Sequence, residues 1–357
     1  MRTTYFGDEG DNRLSATAVI RESIYGLGGD DIFFFYAGAD NLVPDFDMSD
    51  RFFGGAGDDE LRDIDLAFDG NGGLEQLAQL SFDGGTGYDT LAVSVTADLS
   101  SYTASTSQMD LGDIAPLLRS VEHRAYTLSL VDFQEDLERL TIDGSNADES
   151  LTLSQIGSMA AGGEIWISLK GGNDRFEYSA EIDTSADLVV DTGTGNDVVV
   201  MNAATTTYAD LFSAVIRTRG GQDTVVLEGM YTERVNTGSH NDTIYVLSGS
   251  FAEAADVIRT GGGKDRIYLE LDSYSTLARF KDFDADKDKI VFDADEFRNT
   301  TVTFNKTVWQ NAEDDMLYMD NAAGKLYFGD NVLATFGTDA GLTEDSFIID
   351  TWDYWNV

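Results

Sequence analysis

The chain has 357 residues, and its 23 Lys and Arg against 65 Asp and Glu give a formal net charge of −42, which turns away nucleic acid and anionic membrane surfaces and favours cations. With 42% hydrophobic and 11% aromatic residues it can bury a core, so it is not a disordered acidic tail. It has no cysteine, which excludes disulfides and thiolate metal sites, while two prolines against 36 glycines suit many tight turns between short strands. No apolar run approaches the roughly 20 residues of a membrane helix. The opening MRTTYFGDEGD lacks the apolar core of a secretory signal peptide, so export is expected to use another route.

In chain order, a pattern G-G-x-G-x-D-x-U, with U a large apolar residue, recurs eleven times. It reads GDEGDNRL from Gly7, GLGGDDIF from Gly26 and FYAGADNL from Phe35, then matches fully at GGAGDDEL from Gly54 and GGTGYDTL from Gly84. No copy occurs between Leu91 and Gly144, where LGDIAPLLRSVEH from Leu111 reads as a short helix or a bent insertion. The pattern resumes as GSNADESL from Gly144, LKGGNDRF from Leu169, TGTGNDVV from Thr192, TRGGQDTV from Thr218, TGSHNDTI from Thr237 and TGGGKDRI from Thr260.

The sixth position holds Asn12, Asp31, Asp40, Asp59, Asp89, Glu149, Asp174, Asp197, Asp223, Asp242 and Asp265, all able to offer a side-chain oxygen. The eighth holds Leu14, Phe33, Leu42, Leu61, Leu91, Leu151, Phe176, Val199, Val225, Ile244 and Ile267, all apolar. Glycine lets the chain turn and crowds its carbonyl oxygens together, and a short carboxylate just after the turn adds a charged one. Calcium takes six to eight such hard oxygens in irregular geometry. The candidate ligands are therefore the sixth-position side chains, Glu149 and Asn12 among them, with the turn glycines Gly10, Gly26, Gly29, Gly55, Gly57, Gly85, Gly87, Gly172, Gly193, Gly195, Gly221, Gly238, Gly261 and Gly263. One turn supplies part of a shell, so each ion is expected to sit between two stacked turns.

From Asp174 to Asp265 the sixth positions are 23, 26, 19 and 23 residues apart, room for two short strands and two turns per coil. Apolar strands precede these loops, as in IWISL from Ile165 and AVIRT from Ala214. The expected fold is all-β, a parallel β-roll or β-solenoid with calcium-binding Gly/Asp turns and a C-terminal β cap. Its expected parts are an irregular roll over 1–91, an insertion or connecting β segment over 92–164, a regular roll over 165–279, and, as the family resemblance given next implies, a cap with a secretion signal over 280–357. From Asn12 to Asp89 the intervals are 19, 9, 19 and 30, and the 9-residue step is expected to put the Asp40 turn on the opposite edge.

These hemolysin-type nonapeptides resemble those of the RTX, or repeats-in-toxin, family, and FKDFDADKDKIVF from Phe280, with KLYFGDNVLATF and LTEDSFIID after it, resembles the segment that closes RTX rolls. The resemblance implies several bound Ca2+ ions, type I secretion read from an uncleaved carboxyl-terminal signal, and a chain that stays unfolded until it meets extracellular calcium. Asp282, Asp284 and Asp286 could ligate a further ion or form a solvated acidic turn.

With only His123 and His240, the chain has no HExxH motif, and it has no GxSxG elbow. The expected function is a non-enzymatic secreted, extracellular or cell-surface calcium-binding protein, a surface-layer, adhesive or matrix component. Self-association, cell-surface polysaccharide or matrix and the type I secretion apparatus are its expected partners, with no nucleic acid and no membrane span. The alternative is a polysaccharide-active enzyme on the same calcium-dependent solenoid. No catalytic residue is assigned.

Overall fold

Alternation decides the strands. In Glu164–Ser168, Val198–Asn202 and Ser213–Arg217 every second residue is buried, the pattern of a strand with one face on a core. The computed structural model describes residues 3–16, 22–35, 51–68, 81–99, 106–111, 118–119, 121–133, 138–156, 163–182, 187–202, 213–228, 232–247, 256–270, 278–293, 303–304, 317–329, 331–338 and 341–350. Two compact units divide the chain: unit 1 is Met1–Gly163 with Ile182–Thr184, and unit 2 is Glu164–Glu181 with Ser185–Val357.

In unit 1, parallel strands Thr3–Phe6, Glu22–Tyr25, Arg51–Ala56, Ser81–Thr86 and Leu118–Arg119 form one sheet. A second parallel sheet takes Arg13–Ala16, Ile32–Phe35, Glu60–Phe68, Thr90–Leu99, His123–Phe133 and Asp148–Ile156. Successive strands alternate between sheets, so each coil is strand, Gly/Asp turn, strand. The stretch without a repeat supplies His123–Phe133, which lies between Thr90–Leu99 and Asp148–Ile156. Residues 112–117 of LGDIAPLLRSVEH lie outside the described residues, as do Asp40 with most of its turn and the terminal Trp352 and Trp355.

Unit 2 repeats the plan with shorter connections. Ile167, Val190, Ile216, Val235, Ile258 and Phe280 are successive register partners on one sheet, and Phe176, Val199, Val225, Ile244, Ile267 and Ile290 on the other. All of them are buried. Identical positions of successive coils stack in columns, so the apolar eighth residue of each repeat builds a continuous core. The cap mixes the two pairings: Leu317–Asp320, Lys325–Phe328 and Asn331–Thr335 form an antiparallel meander, whereas Asn331–Thr335 joins Ala278–Phe280 and Phe347–Asp350 joins Lys289–Asp293 in parallel. Phe280, Phe283 and Phe336 stack at that corner with ring centroids 5.0–5.8 Å apart. The parallel β-roll with a β cap is thus the observed fold.

Candidate metal centres

The Gly/Asp turns stack directly on one another because little at their fourth position stands in the way. Gly195 and Gly221 adopt φ of 142° and 147°, and a methyl on either would collide with the carbonyl oxygen of the fourth residue one coil back, Gly172 or Gly195. His240 breaks the glycine rule at this position and takes φ 89° instead. Third positions run in register as bridges from Gly171 through Thr194, Gly220 and Ser239 to Gly262.

Two columns of side chains tie the turns together in opposite directions. Each sixth-position carboxylate reaches back: the amide of Asp174 donates to Asp197 Oδ1 at 2.9 Å, Asp197 to Asp223 at 2.9 Å, Asp223 to Asp242 at 3.0 Å, and Asp242 to Asp265 at 2.9 Å. In unit 1 the amides of Asn12, Asp31 and Asp59 donate to the carboxylates of Asp31, Asp59 and Asp89 at 2.8–2.9 Å. Fifth-position side chains reach forward. Asn173, Asn196 and Asn241 accept from the amides of Asn196, Gln222 and Lys264 at 2.8–2.9 Å, and Asp11, Asp30 and Asp58 accept from Asp30, Asp58 and Tyr88 at 2.7–3.0 Å.

The second oxygen of the sixth residue is what these hydrogen bonds leave over. The Oδ2 atoms of Asp31, Asp59, Asp89, Asp223, Asp242 and Asp265 are buried without a hydrogen-bond partner. A buried carboxylate oxygen in that state costs free energy unless a cation faces it. Burial, with the neighbouring acids, pushes Asp59 and Asp242 up to about 7 and Asp223 to about 6, and also raises Asp31 and Asp89. The donor set fits calcium: hard oxygens only, anionic, repeated at each coil.

Three sixth-position residues differ. Asn12 turns inward on its own loop, its amide group bonding Gly10 O and Asp8. Asp197 Oδ2 accepts the Thr192 hydroxyl at 2.5 Å. Glu149 accepts Ser145 N and Oγ at 2.6–3.0 Å and has the Arg124 guanidinium 3.8 Å away, so an internal cation already faces it. The ladder also contains two residues that the repeat pattern did not mark. Glu122 accepts from Asp89 N at 3.0 Å, and Asp288 accepts from Asp265 N at 3.2 Å. Asp288 was legible, since it stands 23 residues after Asp265 with Ile290 two residues on. Glu122 was not, for no glycine precedes it and Arg124 occupies the apolar place. In the cap turn, Asp282 accepts from Thr260 N and Gly261 N at 3.0 and 3.3 Å, Asp284 pairs with Lys287, and Asp288 Oδ2 accepts from Asp284 N. These acids close the last Gly/Asp turn.

Stacked oxygen-lined turns on a parallel roll define a calcium-binding repeat protein. The chain carries RTX calcium-binding nonapeptide repeats: four copies of that repeat match within residues 23–42, 46–62 and 253–273. Such repeats bind several Ca2+ ions. The turns at Asp174, Asp197, Asp223 and Asp242 lie outside those matches yet share the same hydrogen-bonded ladder. No curated protein matches the chain. Among the described residues no helix is long and apolar enough to cross a membrane.

Proposed function

We propose that the chain is a secreted protein that folds on binding calcium outside the cell and serves as a non-enzymatic surface-layer, adhesive or matrix component. The observation that carries this reading is the column of buried, unpartnered carboxylate oxygens at Asp31, Asp59, Asp89, Asp223, Asp242 and Asp265. Without a cation these acids oppose stacking, whereas with calcium each neutralised turn supports the next, which couples folding to binding. Extracellular calcium suits the affinity of about 10⁻⁴ to 10⁻³ M typical of such modules. Among the described residues no three carboxylate or imidazole groups converge, so an ion here would draw further oxygens from the turn carbonyls at Gly29, Gly57, Gly87, Gly172, Gly195, Gly221 and Gly263 and their neighbours. The turns at Asn12 and Glu149 hold no ion in this reading, because their own loops satisfy the side-chain oxygens.

By the same reading 1–91 is an irregular roll, 92–164 a connecting β segment, 165–279 a regular roll and 280–357 a cap that carries the export signal for type I secretion. A calcium titration of the chelator-treated chain, followed by circular dichroism and light scattering, tests the proposal. The expected result is a β signal that appears cooperatively with calcium. A chain fully folded at zero calcium, with no uptake on titration, would overturn it.

A further inference from the structure

The charge of this acidic chain is unevenly placed. On one sheet of unit 2, Ser213–Arg217, Thr232–Asn236, Asp256–Arg259 and Ala278–Phe280 pair side by side, and Ala214, Ile216, Val235, Ile258, Ala278 and Phe280 point into the core. The opposite face therefore carries Val215 and Arg217, Arg234 and Asn236, Val257 and Arg259, then Arg279, with Lys281 following. Arg234, Arg259, Arg279 and Lys281 are exposed and Arg217 half-exposed. Four of the chain's 23 basic residues thus stand on four adjacent strands, with Lys281 just past the last of them. The acids beside them are engaged: Asp191 by Arg219, and Asp282 by the amides of Thr260 and Gly261. Core packing accounts for the inward residues and leaves this basic strip unexplained.

Unit 1 holds a second surplus of the opposite sign. Asp11, Asp30 and Asp58 are exposed and form the forward-reaching column of its turns. In unit 2 the same hydrogen bond is made by Asn173, Asn196 and Asn241 at 2.8–2.9 Å. The ladder therefore needs the oxygen and not the charge. The acidic column advances one residue per coil, and the basic strip sets one arginine on each strand in a stagger, Arg234 in register with Val257 and Arg279 and Arg259 with Asn236, so both repeat with the spacing of about 4.8 Å set by neighbouring strands. A polyanion of different chemistry has no reason to share that pitch, whereas another copy of this chain shares it by construction.

Resting on the assembly reading above, we infer that the basic strip of Arg234, Arg259, Arg279 and Lys281 docks the Asp11, Asp30 and Asp58 column of a second copy. The contact joins different surfaces of two molecules, so each copy keeps one free patch of each sign and association continues into a ring or a filament. Its strength falls with salt, because both columns face solvent.

Sedimentation velocity of the full chain in saturating calcium tests this with two variants, Arg234→Gln/Arg259→Gln/Arg279→Gln and Asp11→Asn/Asp30→Asn/Asp58→Asn. The second set copies the asparagines of unit 2 and so keeps the hydrogen bonds. Wild type is expected to assemble at low salt and to dissociate at high salt. Each variant alone should associate at least about tenfold more weakly. Mixed together, they should form one-to-one pairs and nothing larger, since each retains the patch the other lost. Monomeric wild type, a variant that assembles as wild type does, or a mixture that stays monomeric each overturns the inference. So does a calcium-loaded monomer that binds dextran sulfate through the three arginines, which would assign the strip to a polyanion. Circular dichroism of the same samples keeps the two claims apart, because calcium-dependent folding can hold while assembly fails.

Discussion

In unit 1 the turns from Gly7, Gly26, Gly54 and Gly84 start with glycine, and the Oδ2 atoms of Asp31 and Asp59 lie where a methyl on Gly26 or Gly54 would go. In unit 2 that position is Thr192, Thr218, Thr237 and Thr260, all buried. Their hydroxyls donate to Asp197, Thr237 O, Thr260 O and Asp288 at 2.5–3.3 Å. At the fifth position three turns of unit 1 have Asp11, Asp30 and Asp58 where three of unit 2 have Asn173, Asn196 and Asn241. The Asp30/Asp31 and Asp58/Asp59 turns thus carry two carboxylates each, against one carboxylate and a buried hydroxyl in the turns that start at Thr192, Thr218, Thr237 and Thr260. The backbone ladder is the same in both, so stacking dictates where oxygens must be and leaves their charge to be set by other demands. Charge that stacking does not require is where calcium dependence and partner choice reside.

Proton binding is the broadest way to test this contrast, because it acts on many coils at once. In the calcium-free roll, burial raises the carboxylates of Asp59, Asp223 and Asp242 to about 6–7, above the unfolded value near 3.9. The folded form then holds more protons than the unfolded one. The penalty is present in full above about pH 7 and fades as pH falls towards 4. Calcium-free protein should therefore show more β signal at pH 5 than at pH 8, and the difference should vanish at saturating calcium.

Glu149→Ala gives the next largest effect and separates the turn that faces Arg124 from the others. It leaves the Arg124 guanidinium, whose side chain is only 11% exposed, without its anion. The expected loss is about 3–5 kcal/mol in urea unfolding at saturating calcium, without a change in the number of ions bound. Asp223→Ala should behave in the opposite way. On the proposed reading it removes a buried charge that calcium faces, so the calcium midpoint should rise severalfold and bound calcium should fall. The smallest effect is expected at His240→Gly. Glycine takes φ 89° without the steric cost borne by His240, so the variant should gain up to about 1 kcal/mol, read as a melting temperature a few degrees higher.

The turns were legible because glycine and aspartate at fixed offsets are local requirements. Phe33, Leu61, Phe176 and Ile267 were legible as core because the apolar eighth residue always starts the strand after the turn, and all four are buried. Glu122 was not, since its place in the ladder comes from Asp89 lying alongside and not from any glycine of its own. Nor did the repeat pattern place His123–Phe133 as a strand between Thr90–Leu99 and Asp148–Ile156, since no copy of the repeat precedes it. Glu149 looked like any other sixth residue until Arg124, 25 positions earlier in sequence, came to lie one strand away.

Sequence alone determined the repeat, its calcium chemistry and the all-β roll, because each depends on residues within one turn and the strand that leaves it. Only the tertiary structure decided which oxygens stay unpartnered, which turn faces an arginine, and that five cations spread over some 65 residues share one face. Those facts depend on register between coils 19 to 33 residues apart, and hydrogen bonds between strands set that register where no local pattern records it.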